Sequence, residues 1–345
     1  MNASKWLLLS MTDPIDSSDQ TPFAGLIPDV VLTAVEAAGF ITDGRLLALN
    51  SYENRVWQVG IEQAAPVVAK FYRPGRWTDG GIIEEHRFTL ELANAEISVV
   101  PPLLIGGHTL LKHAGFRYAL FSSQGGHAPE LAHEPSLKQL GRVLGRMHAV
   151  GAAGAFAHRP VLSPEAWGRE AADWLVANQW IPAHLEAAFT SLADSILSHV
   201  DAAWARAGDY RPIRLHGDCH PGNILWRNDQ AHFVDLDDCL TGPAAQDLWM
   251  LIAGDRTERT EQLGWLLEGY QLFADFDTRE LNLIEPLRAL RMINHQAWLA
   301  KRWNDPAFPR AFPWFADDRH WETVIQQLQE QLGELQEPPL SLSHR

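Results

Sequence analysis

The sequence has two cysteines, Cys219 and Cys239, no internal repeat, and no apolar run near the roughly 18 residues that span a bilayer. So few thiols exclude a disulfide framework, and their position beside polar motifs fits a reducing, cytoplasmic compartment. No membrane partner is expected, and the opening MNASKWLLLSM is too short in apolar residues for a signal peptide. Basic residues are also scarce: 28 Lys and Arg face 43 Asp and Glu, a net charge of −15. Wrapping nucleic acid needs a basic surface that displaces counterions, so that partner is not expected either.

What remains is an ordinary globular composition, 46% hydrophobic over 345 residues, enough for about two domains. Residues 1–22 read as a flexible leader. Residues 27–39 read as a helix capped by Asp29 and closed by Gly39. LLALNSYENRVWQVG and APVVAKFYR follow as strand-like runs, then a helix over residues 82–96 and two more strands, HTLLKH and FRYALFS. After Ser123 the chain turns helical: residues 137–151, two or three segments within 165–206, and more helix over 246–303. The expected class is α+β, with a β-rich N-terminal lobe over 23–123, a helical lobe over 124–335 and a frayed tail over 336–345. Clefts between such lobes commonly bind ligands.

Chemistry concentrates in LHGDCHPGNIL (215–225) and FVDLDD (233–238), carried on short strand-like runs. An aspartate that takes a proton from a hydroxyl needs a fixed position, and the flanking Gly and Pro turns supply one. Asp218 and Asn223 stand five residues apart, the interval at which a kinase catalytic loop places its base and a magnesium ligand. Asp235 is expected at the end of a strand, with Asp237 on its face and Asp238 pointing away. Asn223 and Asp235 suit Mg²⁺, which prefers oxygen ligands and phosphate. His216 and His220 read as loop scaffolding, Cys219 as packing. Lys70 closes an apolar strand, where a lone lysine is most often a snorkelling edge residue. Its candidate ion-pair partner is Glu85, with Glu84 the competitor. The turn NSYENR lacks glycine, so a phosphate there would rely on Ser51 and backbone amides.

Taken in order, Lys70, Glu85, HGDCHPGN and FVDLDD resemble the kinase-like aminoglycoside phosphotransferase and choline kinase superfamily. LNSYENRVWQ, VAKFYRPGRWT, EEHRF, LGRMH, GPAAQDLWML, IEPLRALR and RWNDPAFPRAFPW bring the resemblance closer, to the stress response kinase A family. It implies a two-lobed protein kinase-like fold and a serine/threonine protein kinase that uses ATP and Mg²⁺ and acts on a protein in the bacterial stress response; the sequence leaves the oligomeric state open, with a monomer the simplest expectation. It also implies Asp218 as catalytic base, Asn223 and Asp235 as metal ligands, and Lys70 and Glu85 on the ATP phosphates. Ser51 would lie in the phosphate turn, with the hinge at Phe121–Gln124, Ser123 included, against adenine. Asp247 would be a structural aspartate tying the loop to a helix. The sequence departs from eukaryotic kinases in having no GxGxxG, DFG or APE. The competing readings are a small-molecule kinase of the same fold, a metallohydrolase built on His216, Asp218, His220 and Asp235, and a silent ATP-binding regulator.

Overall fold

A computed structural model describes residues 21–49 and 51–342. The expected leader therefore lies outside the described residues except for Thr21 and Pro22. Helix α1 (Pro28–Ala37) precedes strands β1 (Thr42–Ala48), β2 (Arg55–Ile61) and β3 (Ala64–Phe71). Then come α2 (Asp79–Asn94), β4 (Leu111–His113) and β5 (Phe116–Ser122). Asp29 sits inside the first turn of α1, and Ile27 occupies the cap position without a side-chain bond, so the expected cap is corrected. The five strands form one antiparallel sheet in the order β1-β2-β3-β5-β4. Alternation along β3 sets its use. Val67, Ala69 and Phe71 pack with Val31, Ala34 and Val35 of α1, so Lys70, between them, points to the opposite face. There α2 lies across the sheet, started by the Thr78 hydroxyl accepting the Gly81 N–H at 3.1 Å.

The remaining chain is mainly helical. Helices α3 (Glu134–Gly151), α4 (Glu170–Ala177) and α5 (Glu186–Ala207) lead to four short strands, β6 (Ile213–Leu215), β7 (Ile224–Arg227), β8 (Gln230–Phe233) and β9 (Leu240–Gly242). Helices α6 (Ala245–Trp249), α7 (Arg256–Tyr270), α8 (Ile284–Lys301), α9 (Ala307–Ala311) and α10 (Asp318–Gln336) complete it. β6 pairs with β9 and β7 with β8, both antiparallel, so two small ribbons carry the polar motifs. Helices α3 and α7 cross closely because of three glycines. A Cβ on Gly141 would lie 1.9 Å from the Leu266 carbonyl oxygen, and one on Gly269 2.0 Å from that of Lys138; Gly145 is similarly tight against Tyr270. Of the tail expected to fray, residues 336–342 are described and make packing contacts. Leu340 is 2% exposed, and Arg256 donates to the carbonyls of Pro338 and Pro339 at 2.6 and 3.0 Å. Among the described residues, no helix is long and apolar enough to cross a membrane.

Candidate active site

The buried Lys70 ammonium gathers three carboxylates: Asp235 at 2.8 Å, and Glu85 and Asp237 at 3.3 Å each. Burial opposes its charge, but the three acids outweigh it and hold the ammonium well above the usual lysine range. The partner on α2 is Glu85. Glu84 faces the other way, accepting the backbone N–H groups of Ala157 and His158 at 2.7 Å. Arg159 pins the second Glu85 oxygen at 3.0 Å. Burial still dominates there, pushing the Glu85 carboxyl up to about 7 against the pull of Lys70.

The catalytic-type loop leaves β6 at His216 and is fixed from beneath by Asp247 on α6. That carboxylate accepts the backbone N–H groups of His216 and Gly217 at 2.8 Å each and faces His148 Nε2 of α3 at 3.1 Å. Gly217 has φ +85°, and a Cβ there would sit 2.2 Å from the Asp238 carbonyl oxygen, so only glycine fits. His216 is fully buried, its Nε2 bonded to the Val234 carbonyl at 2.9 Å and its Nδ1 accepting the Asp218 N–H at 3.4 Å. Both ring nitrogens are occupied, which removes His216 from a metallohydrolase ligand set. No group of three or more His, Cys, Asp or Glu among the described residues is placed to hold a metal ion.

Asp218 projects from the loop with its side chain largely buried. Arg291 of α8 meets its Oδ1 at 2.8 Å and His220 its Oδ2 at 3.5 Å. Burial works against ionisation, but these two neighbours more than offset it and hold the carboxyl below the usual range. The Asn223 amide nitrogen donates to the Asp218 carbonyl at 2.9 Å and to its carboxylate at 3.4 Å, which leaves the amide oxygen as the atom able to ligate a cation.

The FVDLDD segment departs from the expected strand end. β8 stops at Phe233, Asp235 takes a left-handed conformation at φ +59°, and Leu236–Asp238 form a tight 3₁₀ turn. Asp237 therefore does not share a strand face with Asp235. It is buried under Lys70 and Arg76, where Asn54 Nδ2 donates to it at 3.0 Å and Arg159 donates to its carbonyl at 2.8 Å. Asp238 does not point away either, because Arg76 bridges Asp237 and Asp238. Burial raises the Asp238 carboxyl to about 6 against the pull of Arg76, with the crowding Asp237 adding to the rise.

Two cavities meet here. The first, of about 330 Å³, is lined by Val56, Val68 and Leu225, by Phe121 and Ser122 at the end of β5, and by Gln124 beyond it. Ser123 departs from expectation. The strand ends at Ser122, so alternation no longer governs the next residue, and the Ser123 hydroxyl accepts from Gln58 at 2.9 Å instead of lining the cavity. The second, of about 620 Å³, holds Asp218, Arg291 and aromatic residues from both halves of the chain. Ser51, Asn223 and Asp235 line both cavities, while Lys70 and Glu85 line the first alone.

Motif reading missed Arg76, Arg159, Asn54, Asp237 and Arg291 as parts of this site. It also did not foresee that three separate runs of the sequence meet in space. Glu53 of NSYENR accepts Arg73 of KFYRP at 2.8 Å, Trp298 Nε1 at 2.7 Å and Arg302. Asp305 of DPAFP takes Arg55 at 2.9 Å and Arg73 at 2.6 Å. These pairs fasten the turn holding Ser51 to the end of α8.

Residues 45–284 match the phosphotransferase enzyme family. The chain is 46% identical over 321 residues to stress response kinase A of Escherichia coli (strain K12), covering 93% of this chain and 97% of that protein. It is 44% identical, over the same shares, to the serine/threonine protein kinase RdoA of Salmonella typhimurium. Among solved structures, amicoumacin kinase in complex with AMP-PNP, Ca²⁺ and amicoumacin superposes with a TM-score of 0.67 at 19% identity, covering 91% of this chain and 95% of that one. That likeness concerns the fold, which is two-lobed and kinase-like, with the sheet in one lobe and helices in the other.

Proposed function

Because the chain belongs to the phosphotransferase enzyme family and is a relative of the stress response kinases A, we propose that it transfers the γ-phosphoryl group of ATP to a Ser or Thr hydroxyl of a bacterial stress-response protein. The observation that carries the reading is the meeting of the two cavities. Adenine enters the apolar 330 Å³ slot against Phe121–Gln124. The phosphates run past Lys70 to Ser51, Asn223 and Asp235, and the acceptor hydroxyl arrives from the 620 Å³ side at Asp218. A divalent cation accompanies ATP in this fold, and Mg²⁺ is the one assigned here. The donor set fits it: the free Asn223 amide oxygen and the half-exposed Asp235 carboxylate are hard oxygen ligands beside the phosphate path. When bound, it neutralises phosphate charge.

The chain's own residues do the rest. Glu85 and Arg159 hold Lys70 so that its ammonium faces the phosphates without reorganising. Asp218, kept ionised by His220 and Arg291, orients the acceptor hydroxyl for in-line attack and takes its proton as the bond to phosphorus forms. The Glu53 and Asp305 pairs keep the Ser51 turn over the phosphates, a positioning effect of the kind that dominates phosphoryl transfer. The lobes are assigned to residues 23–123 and 124–335, and the working form is a cytoplasmic monomer. Incubation with labelled ATP and Mg²⁺, offering protein acceptors and a metabolite extract side by side, tests the reading. Label in protein supports it, and label confined to metabolites contradicts it.

A further inference from the structure

The acceptor cavity is unlike the acidic chain around it. Four carboxylates line it, and each already faces a base: Arg73 and Arg302 on Glu53, Arg291 on Asp218, Lys70 on Asp235, and Arg76 on Asp238. A cationic acceptor would find no unpaired carboxylate there and would have to displace an arginine or lysine from one. One wall is a single face of α8, where Arg291, His295, Trp298 and Lys301 recur at helical spacing. Arg291 marks the reacting end, 2.8 Å from Asp218. Lys301 stands at the far end, exposed, with its ammonium 5.1 Å from the Trp174 ring and no carboxylate partner among the described residues.

We propose, resting on the protein-kinase reading above, that this wall is a track for an extended acceptor segment. It selects a Ser or Thr with an acidic residue four or five positions away, received by Lys301. The spacing follows from geometry. Lys301 lies about 15 Å beyond Arg291 along the helix, at about 1.5 Å per residue. An extended peptide covers roughly 3.3 Å per residue, so four or five residues reach it. The net charge of −15 does not oppose an acidic acceptor, because charges beyond about 8 Å are largely screened at physiological salt and the local wall decides.

The test compares Ser peptides carrying Asp, Ala or Lys at positions four and five on either side of the acceptor, with ATP, Mg²⁺ and the full-length protein. The Asp peptide on one side should exceed its Lys counterpart in kcat/KM by about fivefold, the scale of a single exposed ion pair. Lys301→Ala should abolish the preference and Lys301→Glu reverse it, both at unchanged KM for ATP, since Lys301 lines only the acceptor cavity. Peptides phosphorylated without preference, or a preference that survives Lys301→Glu, overturn the acidic track while leaving the kinase reading intact. Absence of label from every peptide and protein acceptor overturns both.

Discussion

Replacing Asp247 by Asn tests whether one buried carboxylate sets the geometry of the catalytic loop. Asp247 is 0% exposed and accepts two backbone N–H groups, from His216 and Gly217, at 2.8 Å each. Asparagine has the same shape but a single acceptor oxygen, so whichever way the amide turns, one N–H meets an NH₂. A hydrogen bond to a charged group contributes about 1.5–3 kcal/mol, and an unpaired buried donor costs about 1–3 kcal/mol. These overlap, so a loss of about 2–4 kcal/mol is expected, a large share of the roughly 5–15 kcal/mol typical of a folded protein. Asp218 follows directly on Gly217, and a displacement near 1 Å costs about a hundredfold in rate. Urea unfolding followed by circular dichroism should show the stability loss. Steady-state kinetics should show kcat falling about 10- to 100-fold, with KM for ATP unchanged because Asp247 lines neither cavity. Full stability combined with lost metal dependence would make Asp247 a ligand and refute the anchoring role.

Two further perturbations probe the fold around the site. Gly217→Ala sets a Cβ against the Asp238 carbonyl in a left-handed backbone; a loss of about 3 kcal/mol is expected, and an unchanged melting temperature would contradict it. Burial raises the Glu280 carboxyl to about 7 even though it accepts the Ala245 N–H at 2.9 Å. The folded protein therefore holds a proton that the unfolded chain has released above about pH 4.5, so stability falls as pH rises from there through 7. Glu280→Gln keeps an acceptor without the charge, and its stability relative to wild type should grow by about 2.5 kcal/mol between pH 5 and pH 8. Parallel pH curves would contradict that origin.

How much of this was legible in the sequence depends on how far each contact reaches along the chain. Lys70 was assigned to the phosphates only by resemblance, since a lone lysine on a strand reads as a snorkelling edge residue; its burial opposite Val67, Ala69 and Phe71 needed the sheet. Asp218 and Asn223 could be paired because both lie in one turn, the latter donating to the former. The α3 register was readable from Leu137, Leu140, Leu144 and Met147, all buried as the spacing demands. The misses are contacts that no local period encodes. Asn54 meets Asp237 across 183 residues and Arg76 meets it across 161. Arg291 reaches Asp218 from a helix whose own pattern serves its packing. The Asp235 conformation was misread because FVDLDD looks extended, while the chain turns left-handed at Asp235 and brings Asp235 and Asp237 together on Lys70. NSYENR, KFYRP and DPAFP carried the resemblance, but their physical content, charges joining Ser51's turn to the end of α8, needed coordinates.

The central claim, that Asp218 serves the acceptor and Asp235 the metal, is tested most directly by single-turnover transfer from labelled ATP. Wild type, Asp218→Ala and Asp235→Asn are titrated with Mg²⁺ alongside measured ATP binding. The account predicts that Asp218→Ala binds ATP like wild type but transfers at least about a hundredfold more slowly at every Mg²⁺ concentration. Asp235→Asn should require far more Mg²⁺ for any given rate. Undiminished transfer by Asp218→Ala, or a Mg²⁺ requirement in Asp235→Asn equal to that of wild type, would contradict it.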